Sequence, residues 1–212
     1  MTALKSKRLL KKTVKITLKL VTHTACLSPI IWLVYAVPAG LFGGDPVKEL
    51  IHYFGLGSLR LLLLTLVITP FARILSIKAI LVLRRPLGLW AFAWASLHFA
   101  SWLYLDLAFD WSLIGDELLK RNFIIIGFIV WASMATLAFT SIPKLIKMMG
   151  KRWQKLHGVI YFLVILTCLH FWMSLKSGWL EPAIYLCITV VLLALRKKKV
   201  MQWAISFKTQ QK

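Results

Sequence analysis

Acidic residues are scarce. The 212 residues include 7 Asp and Glu against 27 Lys and Arg, and no carboxylate lies inside an apolar run away from its ends. That absence counts against a proton-coupled transporter, which needs ionisable groups along its path. Cysteine is scarce as well. Cys26, Cys168 and Cys187 all sit within apolar runs and form no CxxC pair, so they read as small buried apolar residues and report nothing about redox compartment. Internal repeats and low-complexity segments are missing, and with them any sign of a repeat-built transporter. No phosphate loop is present. Its nearest approach, Gly55-Leu56-Gly57-Ser58-Leu59-Arg60, lacks a third glycine and a following strand.

What the chain has is hydrocarbon: 59% of its residues are hydrophobic, the composition of an integral membrane protein. Six apolar stretches cover residues 16–37, 57–75, 87–108, 122–141, 157–175 and 182–196. A transmembrane helix needs roughly 20 such residues, so the last is short. The expected fold is an all-α polytopic membrane protein, a six-transmembrane-helix bundle. A basic arm over 1–15 precedes the transmembrane domain over 16–196, and a basic tail over 197–212 follows it. The spans nearly use up the length, leaving no room for a soluble catalytic domain of ~100 residues. The lysine-rich start looks like a signal peptide, but the apolar run exceeds an h-region of roughly 7–15 residues and no A-x-A site follows, so it reads as a retained span. Pro86 and Pro182 fit the first turn of a helix. Pro29 and Pro70, inside spans, predict local kinks.

The net charge of +20 is distributed in the gaps between spans, not on one folded face. That is the orientation signal of a membrane protein and not the footprint of a nucleic-acid binder. Of the 27 basic residues, 22 lie in the N-terminal arm with Lys19 just beyond it, the 73–86 loop, the 142–156 loop, and the tail with Arg196 just before it; Lys48, Arg60, Lys120, Arg121 and Lys176 lie on the other side with all 7 acidic residues. Both termini are therefore expected in the cytoplasm. Trp102, Tyr104, Trp111, Trp172 and Trp179 on the outer side, and Trp153 on the inner, read as the aromatic belt.

Against this background the histidines stand out, because a neutral imidazole is costly in hydrocarbon unless something binds it, and a metal commonly does. His98 lies about 11 residues into the third span and His170 about 13 into the fifth. Both spans run the same way, so a rise of ~1.5 Å per residue puts the two at one depth. Facing imidazoles on neighbouring helices are what bis-histidine haem ligation requires; the bland alternative is a hydrogen-bonded pair. His157 begins the fifth span, ~20 Å before His170, a separation that suits two stacked haems. At 100° per residue the rings lie ~140° apart in azimuth, so tilt or local distortion must make up the difference. His157 reads equally as an interfacial residue contacting lipid phosphate. His23, in the inner half of span one, is a possible additional ligand. His52 reads by default as a solvated loop residue, with contact to a partner or a quinone headgroup as the alternative. Arg84 and Arg85 suit haem propionates or, as snorkelling anchors, lipid phosphates. Gly88 lets a helix or a flat macrocycle come close.

The strings DPVKELIHYFG (45–55), RRPLGLWAFAWASLH (84–98) and GKRWQKLH (150–157), with His170 beyond them and six spans around them, resemble the MsrQ (YedZ) family. The resemblance covers about residues 15–200. This family belongs to the ferric-reductase-like transmembrane group, with NADPH oxidases. It implies a multi-pass protein of the bacterial inner membrane that binds one or two haem b groups, with an associated FMN. Electrons would come from the quinone pool or a cytoplasmic flavin donor. They would pass to MsrP, a periplasmic molybdopterin reductase that repairs oxidised methionines. It also implies that His98, His157 and His170 match the family's haem histidines. NADPH oxidases carry two histidines on each of two helices; this chain has only one on span three. On this reading the chain is an electron-transfer subunit with no methionine-sulfoxide chemistry of its own. The rival readings are a small transporter and a non-redox membrane scaffold.

Overall fold

The structure, a computed structural model, describes residues 2–175 and 178–208. Lys176, counted above on the outer side, and Lys212, in the tail, lie outside the described residues. The protein is all-α, with no strand among the described residues. It divides into two compact units, one ending at Trp94 and one starting at Ala95.

The first unit holds α1 (Thr2–Ala36), α2 (Pro46–Ile74), a 3₁₀ turn (Lys78–Leu83) and the start of α3 (Arg84–Ser101). The basic arm and the first span are one continuous helix. Pro29 stays inside α1; it cannot donate to the carbonyl of Ala25, and the Ser28 hydroxyl meets that oxygen at 3.4 Å instead. α2 begins eleven residues before the expected span, at Pro46. Asp45 caps it, accepting from the Lys48 N–H at 3.2 Å, Pro46 takes the first helical position, and Glu49 sits in the first turn. Lys48 also pairs with Asp45 and holds its carboxyl below the ordinary range. His52 is therefore in the second turn of α2 and half-buried, not in a solvated loop. Leu59, Leu62 and Leu66 recur at helical spacing and are almost wholly buried.

The second unit holds the end of α3, a π-helical turn (Trp102–Asp106), α4 (Trp111–Lys120), α5 (Asn122–Phe139), α6 (Pro143–Met149), α7 (Lys151–His157), α8 (Ile160–Ser174), α9 (Leu180–Leu195) and α10 (Lys197–Lys208). α8 is its centre, packed on both α5 and α9, with Leu163, Val164 and Cys168 buried. Pro182 lies in the first turn of α9, and the basic tail forms α10.

Five helical stretches are long and apolar enough to cross a membrane: Lys12–Ala36, Pro46–Ile74, Lys78–Asp106, Asn122–Phe139 and Lys151–Ser174. The shorter Leu180–Leu195 is the sixth expected span. At most 33% of any span's most apolar stretch is buried in protein. Large apolar side chains such as Val34, Ile74 and Phe139 face outward, as lipid contact requires and water would not tolerate.

Candidate functional site

α3 and α8 bring His98 and His170 together in the second unit. Their ring centres are 6.1 Å apart and the planes cross at 85°. His170 Nδ1 lies 2.7 Å from the Phe123 carbonyl at the start of α5. A carbonyl only accepts, so Nδ1 carries the proton and Nε2 keeps its lone pair. The ring lies on α5 at Gly127. A Cβ there would stand 2.6 Å from His170 Cε1 and 2.9 Å from Nδ1, so only glycine admits the imidazole. The Phe123 ring lies 5.9 Å from that of His170. Next to His98 in the chain, Phe99 lies 4.8 Å from Trp131 and stacks on Trp102 at 6.0 Å, and Trp131 Nε1 donates to Ser96 Oγ at 3.1 Å. Two imidazoles so placed can hold one metal ion between them. Among the described residues no group of three or more His, Cys, Asp or Glu converges on a metal position, so the pair is the metal-binding arrangement on offer.

Three residues past His98 the helix loosens. Leu107 N–H bonds the Trp102 carbonyl at 3.2 Å and Phe109 N–H the Leu103 carbonyl at 3.0 Å. Ala108 and Phe109 are left-handed, with φ of 48° and 58°. Single π turns of this kind concentrate at functional sites, and left-handed non-glycine residues store strain. Nothing in the sequence signals this turn.

His157 ends α7 and is held differently. Its Nε2 is 3.0 Å from Thr140 Oγ1, and that hydroxyl lies 2.8 Å from the Thr136 carbonyl. The Thr140 hydroxyl thus lies between a helix carbonyl and His157 Nε2, and its hydrogen bond occupies that ring nitrogen. Trp153 stacks on the imidazole at 4.1 Å and donates from Nε1 to the Thr140 carbonyl at 3.0 Å. Trp153 thus has a specific partner besides the interface. The distortion expected between His157 and His170 is present. α7 and α8 are separated at Gly158–Val159, where Tyr161 N–H bonds the Gly158 carbonyl and Phe162 N–H the Val159 carbonyl. Each residue wound at three per turn adds ~20°, and three of them close an azimuth gap of ~140° to ~80°. α10 locks this corner: Trp203 Nε1 donates to the Lys155 carbonyl at 2.8 Å, and its ring fills the notch at Gly158.

The remaining candidates lie in the first unit. Trp90 Nε1 donates to His23 Nδ1 at 2.8 Å. Arg84 and Arg85 are exposed in the first turn of α3. Gly88 is not a close approach between helices of this unit: a Cβ there would meet only Thr65 Cγ2, at an ordinary 3.9 Å. The tight notch is Gly57, where the Trp94 ring occupies the space a Cβ would need.

The profile of the family described as ferric reductase like transmembrane component matches residues 54–168, a segment that contains His98 and His157 and stops two residues before His170. The chain is also 42% identical over 187 residues to the protein-methionine-sulfoxide reductase heme-binding subunit MsrQ of Cronobacter sakazakii (strain ATCC BAA-894), covering 88% of this chain and 94% of that one.

Proposed function

Because this chain belongs to the MsrQ family of ferric-reductase-like membrane proteins, we propose that it is the haem b electron-transfer subunit of a methionine-sulfoxide reductase system in the bacterial inner membrane. One observation carries the reading: imidazoles from two helices meet with ring centres 6.1 Å apart and planes nearly perpendicular, and one has its proton committed to a backbone carbonyl. The residues fit the group. Ligation needs a lone pair on His170 Nε2, and the bond from Nδ1 to Phe123 leaves it there, orients the ring and raises its basicity. The ring must lie against α5, and Gly127 leaves the room. When bound, haem supplies reversible one-electron carriage inside the hydrocarbon. The chain's own residues do the rest. His98 and His170 would hold the iron, and their burial in the bundle would tune its potential.

Electrons enter from the quinone pool or a cytoplasmic flavin donor and leave to a periplasmic molybdopterin reductase of the MsrP type. The 22-to-5 partition of basic residues supports an inner side at the termini. His157 is the residue at hand for a second haem; ligation through Nε2 would exchange its bond to Thr140 for iron. Arg84 and Arg85 suit propionates or lipid phosphates. No contact among the described residues singles out a cradle for FMN. A reduced-minus-oxidised absorption spectrum of the purified protein tests the proposal. A reducible low-spin haem band is expected. Protein purified without haem from haem-replete cells would overturn the conduit and leave a scaffold or a transporter.

A further inference from the structure

The first unit contains a histidine arrangement that electron carriage by His98 and His170 does not use. Trp90 Nε1 lies 2.8 Å from His23 Nδ1. An indole N–H can only donate, so Nδ1 accepts, and the proton of the neutral ring sits on Nε2. The bond thus aims a second donor, Nε2–H, away from Trp90. One turn along, Trp94 Nε1 donates to the Cys26 carbonyl at 3.2 Å, and its ring seats in the notch at Gly57. Two indole bonds in the same order along both helices clamp α3 parallel to α1 and hold the imidazole in place.

His23 is exposed at the protein surface yet lies inside the span Lys12–Ala36. It is one turn, ~6 Å, beyond Lys19, the last basic residue of α1. An N–H facing hydrocarbon without an acceptor is costly. Whatever meets it must be dissolved in the membrane and present an acceptor oxygen at that depth. It also gains if it is flat enough to lie beside the Trp90 ring, which is tilted 59° to the imidazole at 6.1 Å. A quinone headgroup meets all three conditions; a lipid ester carbonyl meets the first two. The same tautomer is wrong for iron ligation through Nε2, which needs a lone pair there.

We propose that the lipid-facing side of the His23–Trp90 pair binds a membrane quinone, with His23 Nε2–H donating to a quinone carbonyl and Trp90 acting as the positioning residue that sets the tautomer. The proposal rests on the reading of the chain as a conduit fed from the quinone pool, and it names where that pool docks.

The test is titration of decylubiquinone into the haem-loaded protein in phosphatidylcholine nanodiscs, with affinity read by calorimetry. His23→Phe keeps the ring and loses the donor, so affinity should fall about tenfold, the worth of one hydrogen bond. His23→Gln keeps an N–H and should recover to within about twofold. Trp90→Phe should cost about threefold, because the tautomer is no longer set. In wild type, the ¹⁵N resonance of His23 Nε2 should move when quinone is added. If that resonance instead responds only to replacing ester-linked by ether-linked lipid, the partner is a lipid carbonyl and the proposal falls. It falls equally if His23→Phe binds quinone as wild type does, or if that variant loses the haem band and so marks His23 as a ligand. Wild type that binds no quinone at all removes quinone as the donor altogether, whereas binding indifferent to position 23 removes only this site.

Discussion

His157 and His170 lie thirteen residues apart on one membrane span, and α5 holds them at its two ends in opposite ways. At the start of α5 a backbone carbonyl takes the Nδ1 proton of His170. At its end a side-chain hydroxyl hydrogen-bonds the Nε2 of His157. The difference is chemical. The first bond leaves a lone pair on the nitrogen that projects farthest from the backbone; the second commits that nitrogen. Residue type and span are shared, so preparation for a metal depends on the second bond of each ring and not on the presence of histidine in hydrocarbon.

The largest effects should come from the prepared pair. His98→Ala or His170→Ala should each abolish most of the low-spin bis-histidine spectrum. The double variant should add little, because two ligands to one iron act as a unit and their losses are not additive. Retention of the full spectrum in His98→Ala would break the pairing. One step down is Gly127→Ala, whose Cβ would stand 2.6 Å from His170 Cε1. Overpacking of this kind costs ~1–3 kcal/mol, which is a weakening of haem affinity of roughly 5- to 150-fold. Haem-to-protein ratios after detergent dilution would measure it. Wild-type retention would mean that the ring does not need the notch, and the comparison would lose its structural half.

The other end of α5 should respond less. Thr140→Val removes the hydrogen-bond partner of His157 Nε2 and should cost ~1 kcal/mol of stability, seen as a lower thermal midpoint, with the spectrum of the His98–His170 haem unchanged. His157→Ala should lower haem content by less than His98→Ala does and slow reduction from the inner side. If instead His157→Ala matches His98→Ala in haem loss, the two ends of α5 are equivalent and the contrast between carbonyl and hydroxyl decides nothing.

Much of this site is legible in the chain, for particular reasons. The matched depth of His98 and His170 follows from helical rise and span direction alone, both of which survive folding. The start of α2 was legible too and is the clearest loss. Asp45-Pro46 followed by Glu49 is a helix-start signal, yet hydropathy alone puts His52 in a loop. The Phe123 carbonyl, the Gly127 notch and the Thr140 hydroxyl carry no local signal, because each acts on a residue of another helix. Trp153 and Trp203 show how a correct generality conceals a specific contact. Interfacial tryptophan is expected in any membrane protein, so neither composition nor position distinguishes a ring that stacks on His157 from one that meets only lipid. Gly88 and Gly57 exchange roles for the same reason: which glycine receives a ring depends on where Trp94 points.

The smallest effect should appear where the outer and inner faces differ in charge. On the proposed topology the inner side holds no Asp or Glu, and the outer side holds all 7 against five basic residues. A periplasmic acceptor with a basic patch would be steered to that outer face. Local pairing blunts the field. Lys120 meets Asp116 at 2.7 Å within α4, Arg121 just past its end meets Glu117 at 2.9 Å, and Lys48 pairs with Asp45 at the start of α2. Asp116 raises the ammonium pKa of Lys120, so this pair stays charged and cancels itself through the neutral range. Steering can speed association by roughly 10- to 1,000-fold on a strongly charged surface; with three acids answered inside their own elements, the low end is expected. Stopped-flow oxidation of the reduced haem by the acceptor should slow about tenfold or less as salt rises and the Debye length shrinks from ~10 Å towards ~3 Å. The double variant Lys120→Gln, Arg121→Gln exposes the α4 carboxylates and should steepen that salt dependence. A rate indifferent to salt in both proteins would mean that the acceptor docks by shape and apolar contact, with α4 outside the interface.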